Sequence, residues 1–211
     1  MRTQKSTYVI VTDGFWRKSL SAVRSLGSEG FEVCVVGDSI FTTAFWSAFT
    51  SKRLICPDVV ANPKKFSDVV FSFLKEFDQN NLCILFPMEE ATLEWVSSNR
   101  EKLSKHAAFL IPSQISLDTA LSKSKTVKAA EKLAINAPKT YEFSNVHEFV
   151  RSIDELGSKG GVDEYVVKPE RGSGSQGLIY CDTAVSVDWS KHWAKFGNLL
   201  IQERIDMSGV G

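Results

Sequence analysis

Residues 164–180 read EYVVKPERGSGSQGLIY. A short apolar run, Tyr165-Val166-Val167, ends in Lys168-Pro169; a polar loop with three glycines follows, then a second apolar run, Leu178-Ile179-Tyr180. The loop contains Gly172-x-Gly174-x-x-Gly177, the spacing of the dinucleotide-binding fingerprint, but that fingerprint opens a helix after its strand. Here the residues after Gly177 are β-branched and aromatic, which predicts a strand. A Walker phosphate loop is excluded too, because Gly172-x-x-x-x-Gly177 leads into Leu178-Ile179 and not into Lys-Ser/Thr. The stretch therefore predicts a strand–loop–strand hairpin whose tip is able to fold over a polyphosphate. Backbone N–H groups and hydroxyls of glycines and serines approach phosphate oxygens closely. Lys168, at the root of the loop, adds a point charge. The plainer alternative is a solvated turn that uses its glycines only to bend.

The rest of the composition narrows the setting. A chain of 211 residues, 43% hydrophobic and 24% charged, is long enough for one large domain or two small ones with a real core. Lys plus Arg (25) balances Asp plus Glu (25), so no overall basic field directs the protein to nucleic acid or an anionic membrane, and any phosphate site must be local. Cys34, Cys56, Cys83 and Cys181 form no C-x-x-C pair and read as buried free thiols of a reducing compartment. His106, His147 and His192 show no metal-ligand spacing. No stretch reaches the roughly 18 apolar residues of a membrane span. The apolar run after MRTQKST is too short for a signal peptide, so a cytoplasmic protein is expected.

From the N-terminus, YVIVT (8–12) and FEVCVV (31–36) predict strands buried on both faces, separated by a helix carrying Trp16, Leu20 and Val23. Residues 39–52 lack a period and read as a short helix plus loop; Arg53 to Cys56 reads as a short strand. Phe66, Val69, Val70, Phe73, Leu74 and Phe77 make an amphipathic helical stripe. LCILF (82–86), a helix over Glu90–Leu103 and a strand AAFLI (107–111) complete an alternation that predicts an open parallel sheet covered on both faces. Ligands of such sheets bind at the strands' carboxyl ends, where Asp13-Gly14 and Pro87-Met88-Glu89-Glu90 lie. Glu89 and Glu90 are candidates to orient a small substrate, although first-turn carboxylates favoured by the helix dipole are the commoner explanation.

Pro112-Ser113 ends this first domain. A helix with Lys123, Thr126, Ala130 and Leu133 follows, then an extended Ala137-Pro138-Lys139-Thr140 and a helix through Val146, Phe149, Val150 and Ile153. GSKGG (157–161) turns into the hairpin. A helix around Trp189–Lys195 then leads to a last strand, Leu199 to Glu203.

Three segments resemble, in order, the ATP-grasp enzymes, a family that includes carbamoyl phosphate synthase large chain, biotin carboxylase and D-alanine–D-alanine ligase. Ser122-Lys123-x-x-Thr126 through Ala137-Pro138-Lys139-Thr140 is similar to the family's "DK…T…lG…P.T" opening segment. Val166-Val167-Lys168-Pro169 with Gly172 to Gly177 resembles its lysine and glycine-rich lid, and Leu199 to Ile205 its adenine-holding strand and hinge. The resemblance implies an α/β fold class: an open parallel-sheet, Rossmann-like pre-ATP-grasp domain (residues 1–112), then the small α+β lid subdomain of an ATP-grasp (residues 113–211), incomplete at its C-terminus. It implies that Lys123 and Lys168 reach ATP phosphates, and that Gly172, Ser173, Gly174, Ser175 and Gly177 cover them. It further implies that Gln202 meets the adenine amino group, with the Glu203 carbonyl and Ile205 N–H at the base edge. Val166 and Ile201 are candidates for the adenine face, with core packing the commoner job for each.

Ser122 stands where the family usually has aspartate, Ala134 where glycine is common, and Gln202 where several members have glutamate. The Mg²⁺-holding residues and ribose-binding acid are expected beyond Gly211, so this stretch alone is expected to be inactive. With them, the implied function is a carbamoyl phosphate synthase-like ligase that activates a small carboxylate as an acylphosphate for attack by an amine. Its partners would be ATP and those substrates, with no nucleic acid or membrane, and a homodimer is compatible with it. A nucleotide-binding sensor or scaffold without catalysis is the alternative. A kinase-like glycine loop lacks the later V-A-I-K, H-R-D and D-F-G motifs. An NAD-binding Rossmann protein lacks its pyrophosphate turn at Asp13-Gly14-Phe15-Trp16.

Overall fold

A strand with no polar interruption needs cover on both faces, and Val9, Ile10 and Val11 have it. They lie in β1 (Thr7–Val11) of a computed structural model that describes residues 6–77, 81–158, 164–172, 174–181 and 187–205. The chain divides into two compact units, residues 1–113 and 114–211.

In the first unit, α1 (Arg17–Ser28) follows β1, then come β2 (Glu32–Gly37), β3 (Thr50–Ile55), α2 (Pro63–Leu74), β4 (Leu82–Phe86), α3 (Glu90–Ser98) and α4 (Arg100–Leu103). The four strands form a parallel sheet in the order β3-β2-β1-β4. Alternate residues serve opposite faces. Val9, Val11, Val33 and Val35 pack with Val23 of α1, whereas Ile10, Cys34, Cys83 and Leu85 pack with Phe66, Val70 and Phe73 of α2 and Trp95 of α3. Each such apolar side chain contributes roughly 1.5–3 kcal/mol on full burial. Helix α2 starts where Pro63 needs no N–H partner and the Asn62 side chain accepts from Lys65 N (3.1 Å).

Three expectations need correction. Residues 50–52, read as loop, belong to β3, an edge strand whose exposed Ser, Lys and Arg side chains hide the alternation; a single 3-10 turn, Thr43–Trp46, precedes it. The helix expected over 90–103 breaks at Asn99, whose side-chain amide donates to the Trp95 carbonyl (2.9 Å) and competes with the helical ladder. The strand expected over 107–111 shrinks to one bridge, Ala108 against Ile84. Ala108 N donates to Cys83 O and Leu85 N to Ala108 O, both at 2.8 Å. Extending the ladder by one pair would take Leu110 N on Leu85 O and the N–H of residue 87 on Leu110 O, and Pro87 has no N–H to give the second bond. Leu110 is accordingly 99% exposed.

In the second unit, α5 (Gln114–Ala120), α6 (Lys123–Lys132), β5 (Thr140–Glu142), α7 (Val146–Ser158), β6 (Tyr165–Pro169), β7 (Ile179–Tyr180), α8 (Trp189–Phe196) and β8 (Leu199–Glu203) follow in order. The sequence offered no stripe for α5, in which only Leu117 is buried. The sheet is antiparallel, ordered β5-β8-β6-β7. One face is the core: Val167, Leu199 and Ile201 pack against Phe149 and Ile153 of α7, with Trp189, Trp193 and Phe196 of α8 at its edge. The predicted hairpin is present as β6 and β7, with Val166 opposite Tyr180 and Val167 opposite Ile179. The GSKGG turn lies largely outside the described residues, though Gly157 itself continues α7.

Candidate functional site

The two-residue alternation of a strand gives the second sheet a face turned away from that core. Thr140, Gln202 and Val166 stand opposite one another on β5, β8 and β6 and share this face, with Lys168 two residues beyond Val166. Ile201 is on the core face and fully buried, so of the two candidates for an adenine face only Val166 faces the site.

The side chains on this face are hydrogen-bonded to each other. Lys168 Nζ donates to Gln202 Oε1. Gln202 Nε2 donates to Thr140 Oγ1 (2.7 Å), and Thr140 Oγ1 donates to the Pro138 carbonyl (3.0 Å). Burial holds the Lys168 pKa below its ordinary 10.5, and the charge of Lys123 lowers it further. The two predicted lysines therefore come close enough to repel. Lys123 Nζ also donates to the Gly172 carbonyl (2.9 Å), which brings its charge to the glycine loop.

Within the loop the glycines divide by role. Gly172 (φ +101°) and Gly174 (φ +68°) hold left-handed backbone, and a Cβ on either would meet nothing within 4 Å. Ser175 also sits in the left-handed region (φ 58°). Gly177 (φ +72°) is a packing glycine: a Cβ there would come within 2.8 Å of Pro169 and 2.9 Å of the Phe196 ring, and its carbonyl lies 2.9 Å from His192 Nε2. Ser173 lies outside the described residues. Glu203 ends β8, its N–H donating to the Lys139 carbonyl (2.9 Å), and Ile205 follows, 57% exposed.

Two residues given no role from sequence are central to this arrangement. Thr140 accepts from the Gln202 amide, as described. Glu170, directly after β6, receives Ser122 Oγ and Ser124 Oγ (2.7 Å) on Oε1, and its carbonyl accepts from Lys123 N (3.2 Å). Its other oxygen, Oε2, is buried with no hydrogen-bond partner among the described residues. Glu170 thus anchors the start of α6, and with it Lys123, to the strand that carries Lys168. No sequence motif marks this contact, which spans 48 residues from Ser122.

The first unit places its candidates differently. Asp13, in left-handed backbone (φ 55°), accepts on Oδ2 from Thr92 Oγ1 (2.6 Å), Glu89 N (3.1 Å) and Met88 N (3.3 Å). Glu89 caps α3 and pairs with Lys18 (2.7 Å), and Glu90 lies in the first turn. Asp13 and Glu89 are occupied by the local fold, and Glu90 has the place of a dipole-favoured first-turn acid. A separate cavity of about 390 Å³ opens at the carboxyl ends of β1 to β3, lined by Trp16, Asp38, Phe41, Asp58 and Phe66 among others. No predicted nucleotide residue lines it. Among the described residues, no three His, Cys, Asp or Glu side chains converge to hold a metal ion, and no helix is long and apolar enough to cross a membrane.

No protein-family model and no curated protein matches the sequence. The structure is similar to N5-carboxyaminoimidazole synthetase from Staphylococcus aureus complexed with ADP (TM-score 0.67, 9% identity, 99% of this chain and 50% of that one). It is similar also to biotin carboxylase from Campylobacter jejuni (0.64, 14%, 96% and 46%) and to L-amino acid ligase from Bacillus licheniformis (0.62, 16%, 98% and 45%). The chain spans about half the length of these enzymes. Both units are included in the match, the parallel sheet and the antiparallel sheet with its glycine hairpin alike. Over the part of those enzymes that it spans, the chain has the fold of the ATP-grasp ligases.

Proposed function

We propose that this chain forms the ATP-binding part of a ligase that joins a carboxylate to an amine, with carbamoyl phosphate synthase-like chemistry. The observation that carries the proposal is that Lys123 reaches the Gly172 carbonyl while its charge acts on Lys168 at the root of the same loop, in which Gly172 and Gly174 are left-handed and uncrowded. Two ammonium groups held close enough to repel are stabilised by an anion between them, and backbone N–H groups of such a loop suit phosphate oxygens. The residues present fit a nucleoside triphosphate on that ground. The base would lie against Val166, with its amino group toward Gln202 and its edge at the Glu203 carbonyl and Ile205 N–H.

In the proposed reaction the carboxylate oxygen attacks the γ-phosphorus, the bond to the β-phosphate bridging oxygen breaks, and ADP and an acylphosphate result. The amine then attacks the acyl carbon and phosphate leaves, carrying the electron pair that hydroxide would carry poorly. Lys123 and Lys168 hold the polyphosphate and offset charge there. Magnesium, which the resemblance implies, would offset charge on the phosphates when bound.

The test is equilibrium ATP binding by the full-length protein. Lys168→Ala should weaken ATP binding at least tenfold, since it removes a partly buried charge from the phosphate site. Unchanged affinity in a folded variant would overturn the assignment.

A further inference from the structure

We infer that Thr140 sets the base selectivity of this site, by holding the Gln202 amide so that only its oxygen faces the nucleotide base. The inference rests on the ATP reading above and adds to it a residue that does not touch the ligand.

The argument follows the protons. A lysine ammonium has three donors and no acceptor, so Gln202 Oε1 accepts from Lys168. The amide NH₂ must then point the other way, to Thr140 Oγ1 at 2.7 Å. Thr140 has one hydroxyl proton, which goes to the Pro138 carbonyl at 3.0 Å, and a carbonyl can only accept. Thr140 therefore presents a lone pair to Gln202. Pro138, Thr140, Gln202 and Lys168 form a chain with a single sense. Turning the amide over would set NH₂ against ammonium at one end and oxygen against a lone pair at the other.

Gln202 is buried and an amide oxygen accepts two hydrogen bonds, so one lone pair of Oε1 remains after Lys168. A purine bearing a 6-amino group donates to that lone pair. A 6-oxo purine sets acceptor against acceptor. When Lys168 turns its ammonium to a phosphate, Thr140 is the remaining group of this chain that holds the amide. A glutamate at position 202 would need no such help, because both of its oxygens accept. Glutamine flips at little cost and does need it.

The experiment compares dissociation constants for ATP and ITP, which differ in the 6-substituent and in the proton at N1, in the full-length wild type, Thr140→Val and Thr140→Ser; the N1 difference is common to all three proteins, so the change in preference reports on Gln202. The wild type should prefer ATP. Thr140→Val should lower the ATP:ITP preference about tenfold, the effect of one oriented hydrogen bond, and Thr140→Ser should keep it. In a Gln202→Glu background, Thr140→Val should leave the preference unchanged, and this distinguishes orientation from general damage to β5. ATP binding with an unaltered preference in Thr140→Val would overturn the inference and leave the ATP reading standing. A wild type that binds neither nucleotide would overturn both.

Discussion

Ala134 sits just past α6 with φ 54°, a left-handed conformation that crowds its Cβ against the backbone. The hydrogen bonds explain why the chain stays there: Ile135 N donates to Ala130 O (2.9 Å) and Ala134 N to Glu131 O (3.0 Å), a Schellman closure of the helix. Helix α1 closes in the same way, with Phe31 N on Leu26 O and Gly30 N on Gly27 O, but the left-handed position is a glycine, Gly30. Ala134→Gly should therefore stabilise the second unit by roughly 0.5–1 kcal/mol, the relief of left-handed strain less the extra freedom of glycine when unfolded. Urea denaturation checks it, and a loss of stability would refute this account of the cap. The sequence flagged Ala134 as unusual against the family resemblance; only the backbone angle says what the departure costs.

At the scale of elements, the joint between α6 and β6 accounts for another departure. Ser122 caps α6, accepting from Lys125 N (3.1 Å), and donates to Glu170. With an aspartate at 122, a second carboxylate would press against Glu170. The negative charge at this helix start is thus supplied across the fold by Glu170, where it favours the N-terminal dipole. Ser122→Asp should destabilise the second unit by roughly 1–3 kcal/mol, through a lost hydrogen bond and like-charge repulsion. Glu170→Gln in the same chain should recover much of that. A double-mutant cycle tests the coupling, and additive effects would sink the explanation. The two strand errors have equally local causes. β3 hides its alternation because it is an edge, and the strand at 107–111 stops where half of its next pair of ladder bonds would fall on Pro87, which has no N–H.

At the scale of the molecule, the thiols record how tightly the first unit is packed. Cys34, Cys56 and Cys83 are buried free thiols; burial raises the Cys34 pKa from the ordinary 9.0 to about 12, and those of Cys56 and Cys83 to about 11. A raised folded value means the folded state keeps a proton that the unfolded chain releases above pH 9.0. The stability tied to these protons is complete below that pH and is lost as pH rises toward 11. Denaturation midpoints should hold up to about pH 9 and fall from there toward pH 11, less steeply in Cys34→Ala; identical slopes would refute the link. The apolar runs at 8–11, 33–36 and 82–86 were enough to read the parallel sheet, because a strand covered on both faces has to be apolar where it is covered. The hairpin at 164–180 was legible for a similar reason: its glycines and the strand after them leave few backbone solutions. The tertiary structure alone decided which side chains meet. The contacts of Glu170 with Ser122 and of Thr140 with Gln202 join residues 48 and 62 positions apart. Such pairings are set by strand register and helix placement, which local sequence patterns do not encode.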